Sequence, residues 1–349
     1  MTQTSGSQKP SGSQKDSGSQ KDSGTQQLPG TTQLSGTLAP FGAKRPSGEP
    51  VDHAQRGHVW DGAFTVDVED YFQVSAFASR IRVDEWDQYP CRVEQNTRVM
   101  LDLAAACGTQ GTFFILGWVA ERYPHLVREI QNAGHEIGCH SYWHQLIYEL
   151  GPAKFREDLV RARDVLEQIT GSRVHLHRAP SFSITKQSLW ALEILLEEGF
   201  DTDSSIYPIR HDRYGIPTAP VNPHRIETRS GIIREFPGMV YSTGSLRLPV
   251  GGGGYLRLFP WMMTSALLKS IRRQDRPLNV YIHPWEVDPQ QPRIAASWKS
   301  RFRHYQNLRT TVPKLKALLS GFRLTTMSGV LNERQLPLAP VFQPEMQEA

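Results

Sequence analysis

Cysteine is scarce in this chain: three in 349 residues, Cys91, Cys107 and Cys139. So small and odd a set cannot build a disulfide framework, and it reads as reduced thiols in a cytoplasmic protein. Long apolar runs are missing too. No stretch reaches the roughly 18 apolar residues that a spanning helix needs, and the N-terminus lacks the charged-then-apolar pattern of a secretory leader. Excess charge is also small: 39 Lys and Arg against 35 Asp and Glu leave a net +4, with no dense basic run, so nucleic acid is not an expected partner. Neither GxGxxG nor GxxxxGK[ST] comes after a predicted strand, which removes the usual basis for nucleotide binding. Finally, the first 50 residues lack almost every core-forming side chain. Apart from Met1 they hold no Val, Ile, Met, Trp, Tyr or Cys, and only one Phe.

What that opening segment contains is a repeat. From Ser5 the chain runs SGSQKP, SGSQKD, SGSQKD, SGTQQL, PGTTQL, SGTLAP, six units of six residues. Such tracts cannot bury enough apolar area to offset chain entropy, so residues 1–58 are expected to be a disordered tail and linker. Residues 59–330 carry the core-forming side chains and read as one catalytic domain. A loop-rich insertion is expected at about 205–259, and residues 331–349 are expected to form a C-terminal tail.

Within 59–330 strands and helices alternate. Ala63–Val68 (AFTVDV), Thr112–Leu116, Glu136–Cys139, Val174–Arg178 and Phe200–Asp203 read as strands. Gln95–Cys107, Val119–Ala133, Pro152–Thr170 and Thr185–Glu198 read as helices, each closed by a glycine. Farther on, Trp261–Arg273 and Ser297–Leu319 read as helices, and Asn279–His283 and Phe322–Thr326 as strands. Between them, residues 205–259 read as long loops with one short strand near Ile232–Phe236, and Gly251–Gly254 reads as a flexible loop. The pattern is βαβ, which gives an α/β fold with a parallel sheet; about seven such units suit a barrel better than an open sheet.

In such folds the active site lies at the carboxyl ends of the strands. Five predicted strands deliver ionisable groups there: Asp67, Glu69 and Asp70; His140 and His144; Arg178; Asp203; and His283 with Glu286. His140 and His144, four apart, can place both rings on one side. Twelve histidines in 349 residues produce roughly 0.4 such pairs by chance, so the spacing alone is weak. Carboxylates at a second strand end strengthen it, because a divalent metal wants imidazoles plus a carboxylate. Asp67 and Glu69, two apart on a strand, share a face, and a cation between them would relieve their repulsion. Arg178 cannot lose its proton and would hold a neighbouring carboxylate ionised. His283 ends an apolar strand, where a histidine is often a satisfied core residue; at a rim it can also act as a general acid. Trp143, Trp285, Tyr142 and Phe182 would supply flat walls.

Six segments, TVDVEDYF, GTFFILGWVAERYPHLV, AGHEIGCHSYWHQ, RAPSFSIT, FDTDSSIYP and IHPWEVDP, together resemble the polysaccharide deacetylases of carbohydrate esterase family 4. The resemblance is closest to the branch associated with exosortase and exopolysaccharide loci. It implies a distorted, incomplete (β/α) barrel of about seven parallel strands that removes N-acetyl groups from sugars. It implies Asp67 as general base, with Arg178 bracing it. His140 and His144 would be metal ligands, and the backbone amide of Ser181 part of an oxyanion hole. His283 would protonate the leaving amine, with Asp203 as the partner that tunes it. Many members carry two adjacent aspartates in the first motif; here Val68 comes after Asp67, so Glu69 becomes the carboxylate ligand, with Asp70 as fallback. Trp143, Phe182 and Trp285 would bind substrate.

The implied cofactor is a divalent metal, zinc by default, and the implied partner an N-acetylated glycan, with no nucleic acid and no membrane span. A cytoplasmic chain would work on a precursor of an exported polymer or at the inner membrane face. Two other readings stay open: a C–N hydrolase for a small linear or cyclic amide, and an inactive glycan-binding protein.

Overall fold

The computed structural model describes residues 58–244 and 246–339; the hexad repeat, its linker and residues 340–349 lie outside the described residues. The first strand, β1 (Gly62–Val68), is buried at all seven positions. Both its faces are covered, as in parallel α/β sheets, so it shows no polar alternation before Asp67. The chain continues through β2 (Thr112–Ile115), β3 (Glu136–Cys139), β4 (Leu176–His177) and β5 (Thr202–Asp203), then the antiparallel pair β6 (His224–Thr228) and β7 (Gly231–Glu235). A separate hairpin, β8 (Val240–Thr243) and β9 (Leu246–Pro249), precedes β10 (Leu278–Ile282) and β11 (Leu324–Thr325). The main sheet runs β10-β1-β2-β3-β4-β5-β7-β6, and β11 lies beside the start of β1. Seven strands of that path, β10 to β7, are parallel, with β6 the antiparallel exception. Among the described residues no helix is long and apolar enough to cross a membrane.

A closed barrel would have a ladder between β10 and β7; among the described residues none joins them. Side chains and a short backbone contact span the gap. Asn279 of β10 donates its amide to the carbonyls of Phe236 and Pro237, at 3.1 and 3.0 Å, and to Ser204 Oγ at 3.2 Å. Gly252 forms an isolated parallel bridge with Tyr281 of β10. The interior is filled by Arg178, whose side chain is fully buried. Its guanidinium donates to Thr65 Oγ1 (2.8 Å) and Asp67 Oδ1 (2.7 Å) of β1, to Ser204 Oγ (2.9 Å), and to Asn279 Oδ1 (3.3 Å). A buried cation is tolerated only when its donors are satisfied, and this one draws on the ends of β1, β4, β5 and β10 at once.

Several elements differ from the sequence reading. The helix expected over Val119–Ala133 is two, Gly117–Arg122 and Pro124–Asn132, because Tyr123 precedes a proline and cannot stay in the helical region. Ser297–Leu319 is likewise Trp298–Tyr305 and Thr311–Gly321, parted at Asn307, which has φ +51°. Thr185–Glu198 is helical only over Ala191–Glu197, after a short 3-10 turn. The supposed loops of 205–259 contain four strands in two hairpins. The start of the C-terminal tail is ordered: Met327–Asn332 is helical, and residues 337–339 pair with Arg225 of β6. The glycine run is no flexible loop. It comes after β9 and starts the helix Gly253–Leu258. A Cβ on Gly252 would lie 2.0 Å from the Tyr281 ring.

Two stability measurements check these points. Gly252→Ala should cost about 1–3 kcal/mol in denaturant unfolding through overpacking against Tyr281. Gly321→Ala, where nothing crowds the new methyl, should be neutral or stabilising by up to about 1 kcal/mol. Equal small effects would mean that the glycine run is loose after all. Arg178→Met should cost about 3–5 kcal/mol by leaving Asp67 buried and unpaired, and adding Asp67→Asn should recover part of that loss. A purely additive double variant would remove the pair from the architecture.

Candidate active site

The ionisable strand ends meet on one rim. Asp67, next to last in β1, shares the face of Thr65, the parity that also turns Glu69 inward, and both acids are 2% exposed. His140 comes directly after β3. Its Nδ1 engages the Arg178 carbonyl at 2.7 Å, which leaves Nε2 for the site. His144 lies four residues on, in a loop with unusual backbone: Ser141 has φ +63° and His144 φ +52°. Non-glycine residues in the left-handed region persist only when their surroundings over-determine them. Here Asp158, on the helix Pro152–Thr170, accepts the Tyr142 and Trp143 amides at 2.7 and 3.0 Å. Gly117 donates to the Ser141 carbonyl at 2.9 Å. It must be glycine, since a Cβ would lie 2.4 Å from the Tyr142 ring. Across the rim Ser181 and Phe182 repeat the feature, with φ +53° and +55°.

One ligand atom each of Glu69, His140 and His144 lies within 4.8 Å of the others, the only such buried metal-type cluster among the described residues. Glu69 Oε2 is buried 2.6 Å from His144 Nε2 and has no other polar partner. A buried carboxylate oxygen and two imidazoles that converge in this way are the donor set of a borderline divalent ion. Burial pulls His140 down to about 4, so it is in its neutral, metal-binding form. Burial alone would raise Glu69, but its contact with His144, and after it the field of His283, hold it well below the usual carboxylate range. Asp70 is turned away. It accepts the amides of Tyr71, Arg92 and Val93 at the start of the helix Val93–Ala106, and burial pushes it up to about 6. The fallback ligand is a helix cap.

His283 faces the cluster, with Nε2 3.8 Å from Asp67 Oδ2 and 3.7 Å from Glu69 Oε1. Its Nδ1 is 2.7 Å from Glu286 Oε1. Burial works against the charged imidazole. The Glu286 hydrogen bond, with the nearby Glu69 and Asp67 carboxylates, outweighs it and pushes His283 up to about 9. Asp203 is not its partner. Ser204 turns to the Arg178 side, so by strand alternation Asp203 lies on the opposite face. There it meets His177 Nδ1 at 2.8 Å and Ser205 Oγ at 2.6 Å, and it neighbours Glu235. Burial, with Asp203 beside it, drives Glu235 well above the carboxylate range. Glu286 stands among the strand-end acids of the sequence reading but has no role there, although His283-Pro-Trp-Glu286 places it three residues from the histidine.

The aromatic walls divide. Trp143 is half-buried beside Trp86 and Tyr142. Trp285 is no open stacking surface: its ring is 5% exposed and stacks on His283 and His304, and its Nε1 donates to Glu69 Oε1 at 3.0 Å. Phe182, also 5% exposed, packs edge-on into Tyr207 and Tyr281. Ser181 Oγ pairs with Ser75 Oγ at 2.8 Å.

Comparison with known proteins adds independent information. Residues 85–195 match the family described as polysaccharide deacetylase, and residues 204–332 match a domain of unknown function, DUF3473. A Bacillus cereus peptidoglycan-N-acetylglucosamine deacetylase is 32% identical over 98 residues, 28% of this chain and 36% of that protein. The Bacillus subtilis (strain 168) peptidoglycan-N-acetylmuramic acid deacetylase PdaC is 31% identical over 84 residues, 24% of this chain and 18% of that protein. The chain thus spans less than half the length of these curated relatives. A solved structure from Mycobacterium smegmatis, provisionally named a polysaccharide deacetylase, covers 80% of this chain and 92% of its own, with 21% identity and a TM-score of 0.52. That likeness concerns the fold, which is the incomplete (β/α) barrel described above. Matched segment and barrel agree: the chain carries a domain of the polysaccharide deacetylase family, carbohydrate esterase family 4.

Proposed function

We propose that the chain hydrolyses N-acetyl groups on a glycan. The observation that carries this reading is the buried Glu69–His140–His144 cluster with an acid–base pair on its flank, Asp67 on Arg178 and His283 on Glu286. A divalent ion held by Glu69, His140 and His144, zinc by its preference for imidazole and carboxylate, would supply Lewis acidity to an acetyl carbonyl and make water more acidic. The chain's own groups do the remaining work. Asp67, fixed by Arg178, accepts a proton from the attacking water. The Ser181 backbone amide, in its left-handed turn, supports the negative charge that develops on the carbonyl oxygen. His283 gives its Nε2 proton to the nitrogen as the C–N bond breaks. Water oxygen ends in acetate, and the sugar keeps a free amine.

The matched family and the relatives' names, which specify N-acetylglucosamine and N-acetylmuramic acid, support an N-acetylated glycan. The six motifs support a polymer made for export. Trp143 is the wall that remains free to meet a sugar ring, and we assign it that part.

The test is acetate release from N-acetylglucosamine oligomers by the full-length, zinc-supplemented protein, with metal content measured in parallel. Asp67→Asn and His144→Ala should each lower kcat/KM by several orders of magnitude, and Glu69→Gln should purify with much less bound metal. Undiminished release by Asp67→Asn would sink the reading, as would preference for a small linear amide over the oligomers.

A further inference from the structure

The proton that His283 delivers has an apparatus of its own, and all of it comes from the segment matched only as a domain of unknown function. Glu286 is fully buried, and its two oxygens do different things. Oε1 takes His283 Nδ1 at 2.7 Å and the His283 backbone amide at 3.0 Å. Oε2 takes Arg257 Nε at 2.6 Å. Arg257 is 1% exposed and spends its other donors on the carbonyls of Arg303, His304 and Gln306, at 3.0, 2.7 and 2.9 Å. Those carbonyls close the helix Trp298–Tyr305 at its negative end. The same helix end carries His304, whose ring stacks on Trp285 at 4.1 Å between centroids, and Trp285 in turn donates to Glu69.

A buried ion pair rarely gains stability over apolar replacements of similar shape. Arg257 and Glu286 therefore call for a role other than holding the barrel together, and their geometry points at one. A carboxylate bonded to Nδ1 fixes the imidazole so that the second N–H, on Nε2, faces the site. The glycine run explains how Arg257 reaches this point. Gly252 passes against Tyr281 where no side chain fits, and the helix Gly253–Leu258 then places Arg257 behind Glu286.

Building on the deacetylase reading, we infer that Arg257 and Glu286 are positioning residues for His283, and that residues 204–332 form the leaving-group half of the active site. In the step they serve, the Nε2 proton of His283 passes to the departing nitrogen while the Nδ1 proton stays with Glu286. His283 is reset when the Asp67 proton reaches the imidazole, directly or by exchange through solvent.

Leaving-group dependence tests this. An acetyl amide needs its nitrogen protonated; 4-nitrophenyl acetate leaves as a stable phenolate and does not. In the full-length protein, Glu286→Gln should lower kcat on N-acetylglucosamine oligomers by about 100-fold with KM within a few-fold. Hydrolysis of 4-nitrophenyl acetate should stay within about threefold. Arg257→Lys, which keeps the charge and loses the fork, should fall between wild type and Glu286→Gln on the oligomers. Equal losses on both substrates, or no loss on either, would overturn the inference, since a structural defect damages both reactions alike. NMR of histidine-labelled protein gives a readout independent of turnover. Wild type should show a strongly downfield imidazole N–H that vanishes in both His283→Ala and Glu286→Gln; its absence from wild type would refute the pairing. A wild-type protein that shows this proton but releases no acetate from oligomers would fail the deacetylase reading and leave the pairing intact.

Discussion

The constraint on which this structure depends is one buried guanidinium. Arg178 is wholly withdrawn from water inside a barrel that its strands do not close. A guanidinium cannot be neutralised by losing a proton, so its donors must find acceptors in fixed directions. Thr65, Asp67, Ser204 and Asn279 supply them from strand ends far apart in sequence. Three of these acceptors are held in turn: Thr65 donates to the Val280 carbonyl, Ser204 to the Phe236 carbonyl, and Asn279 to the Phe236 and Pro237 carbonyls. The group that fills the barrel thus also aims Asp67 at the rim, and the Arg178 carbonyl fixes the tautomer-determining nitrogen of His140. Architecture and acid–base chemistry share one side chain.

Around that centre the site is made of two kinds of rigidity. On the β3 side it is backbone strain, with Ser141 and His144 in the left-handed region and Asp158 and Gly117 holding them there. On the β10 side it is a chain of buried charges and stacked rings, Arg257 to Glu286 to His283, and His304 to Trp285 to Glu69. Loops alone place side chains imprecisely; both devices convert loop residues into fixed ones. The matched segments divide along the same line. His140, His144 and Arg178 fall within residues 85–195, while Asn279, His283, Glu286 and Arg257 fall within 204–332. Asp67 and Glu69 precede both. A site drawn from three stretches of chain needs the whole barrel to exist.

Much of this was legible in the amino-acid order because strand ends are local. Pro152–Thr170 and Trp261–Arg273 have the bounds that proline, glycine and apolar spacing suggest, and β1 starts one residue early. Asp67, Glu69, His140, His144, Arg178 and His283 could be gathered by asking which polar residues stand at the carboxyl end of each strand. The features that could not be read depend on contacts across the chain. Residues 205–259 look like loops because their hairpins are short and rich in Gly, Pro and Arg; β6 and β7 are strands because β5 offers β7 an edge. The glycine run looks flexible until Tyr281 is placed beside it.

The partner of His283 shows most sharply where sequence reasoning stops. Asp203 and Glu286 are both acids at strand ends, and composition cannot choose between them. Parity decides against Asp203. Ser204 is committed to Arg178, so its neighbour must face the other way, into His177 and Glu235. Local geometry decides for Glu286. His283 is the N-cap of a single 3-10 turn, and residue N3 of such a turn reaches back to the cap residue's own amide. Glu286 does this with Oε1, and the same oxygen lies against Nδ1 because the His283 side chain leaves from the same Cα. A short turn therefore carries the acid and its partner together, and only the countercharge, Arg257, had to be brought from elsewhere in the fold.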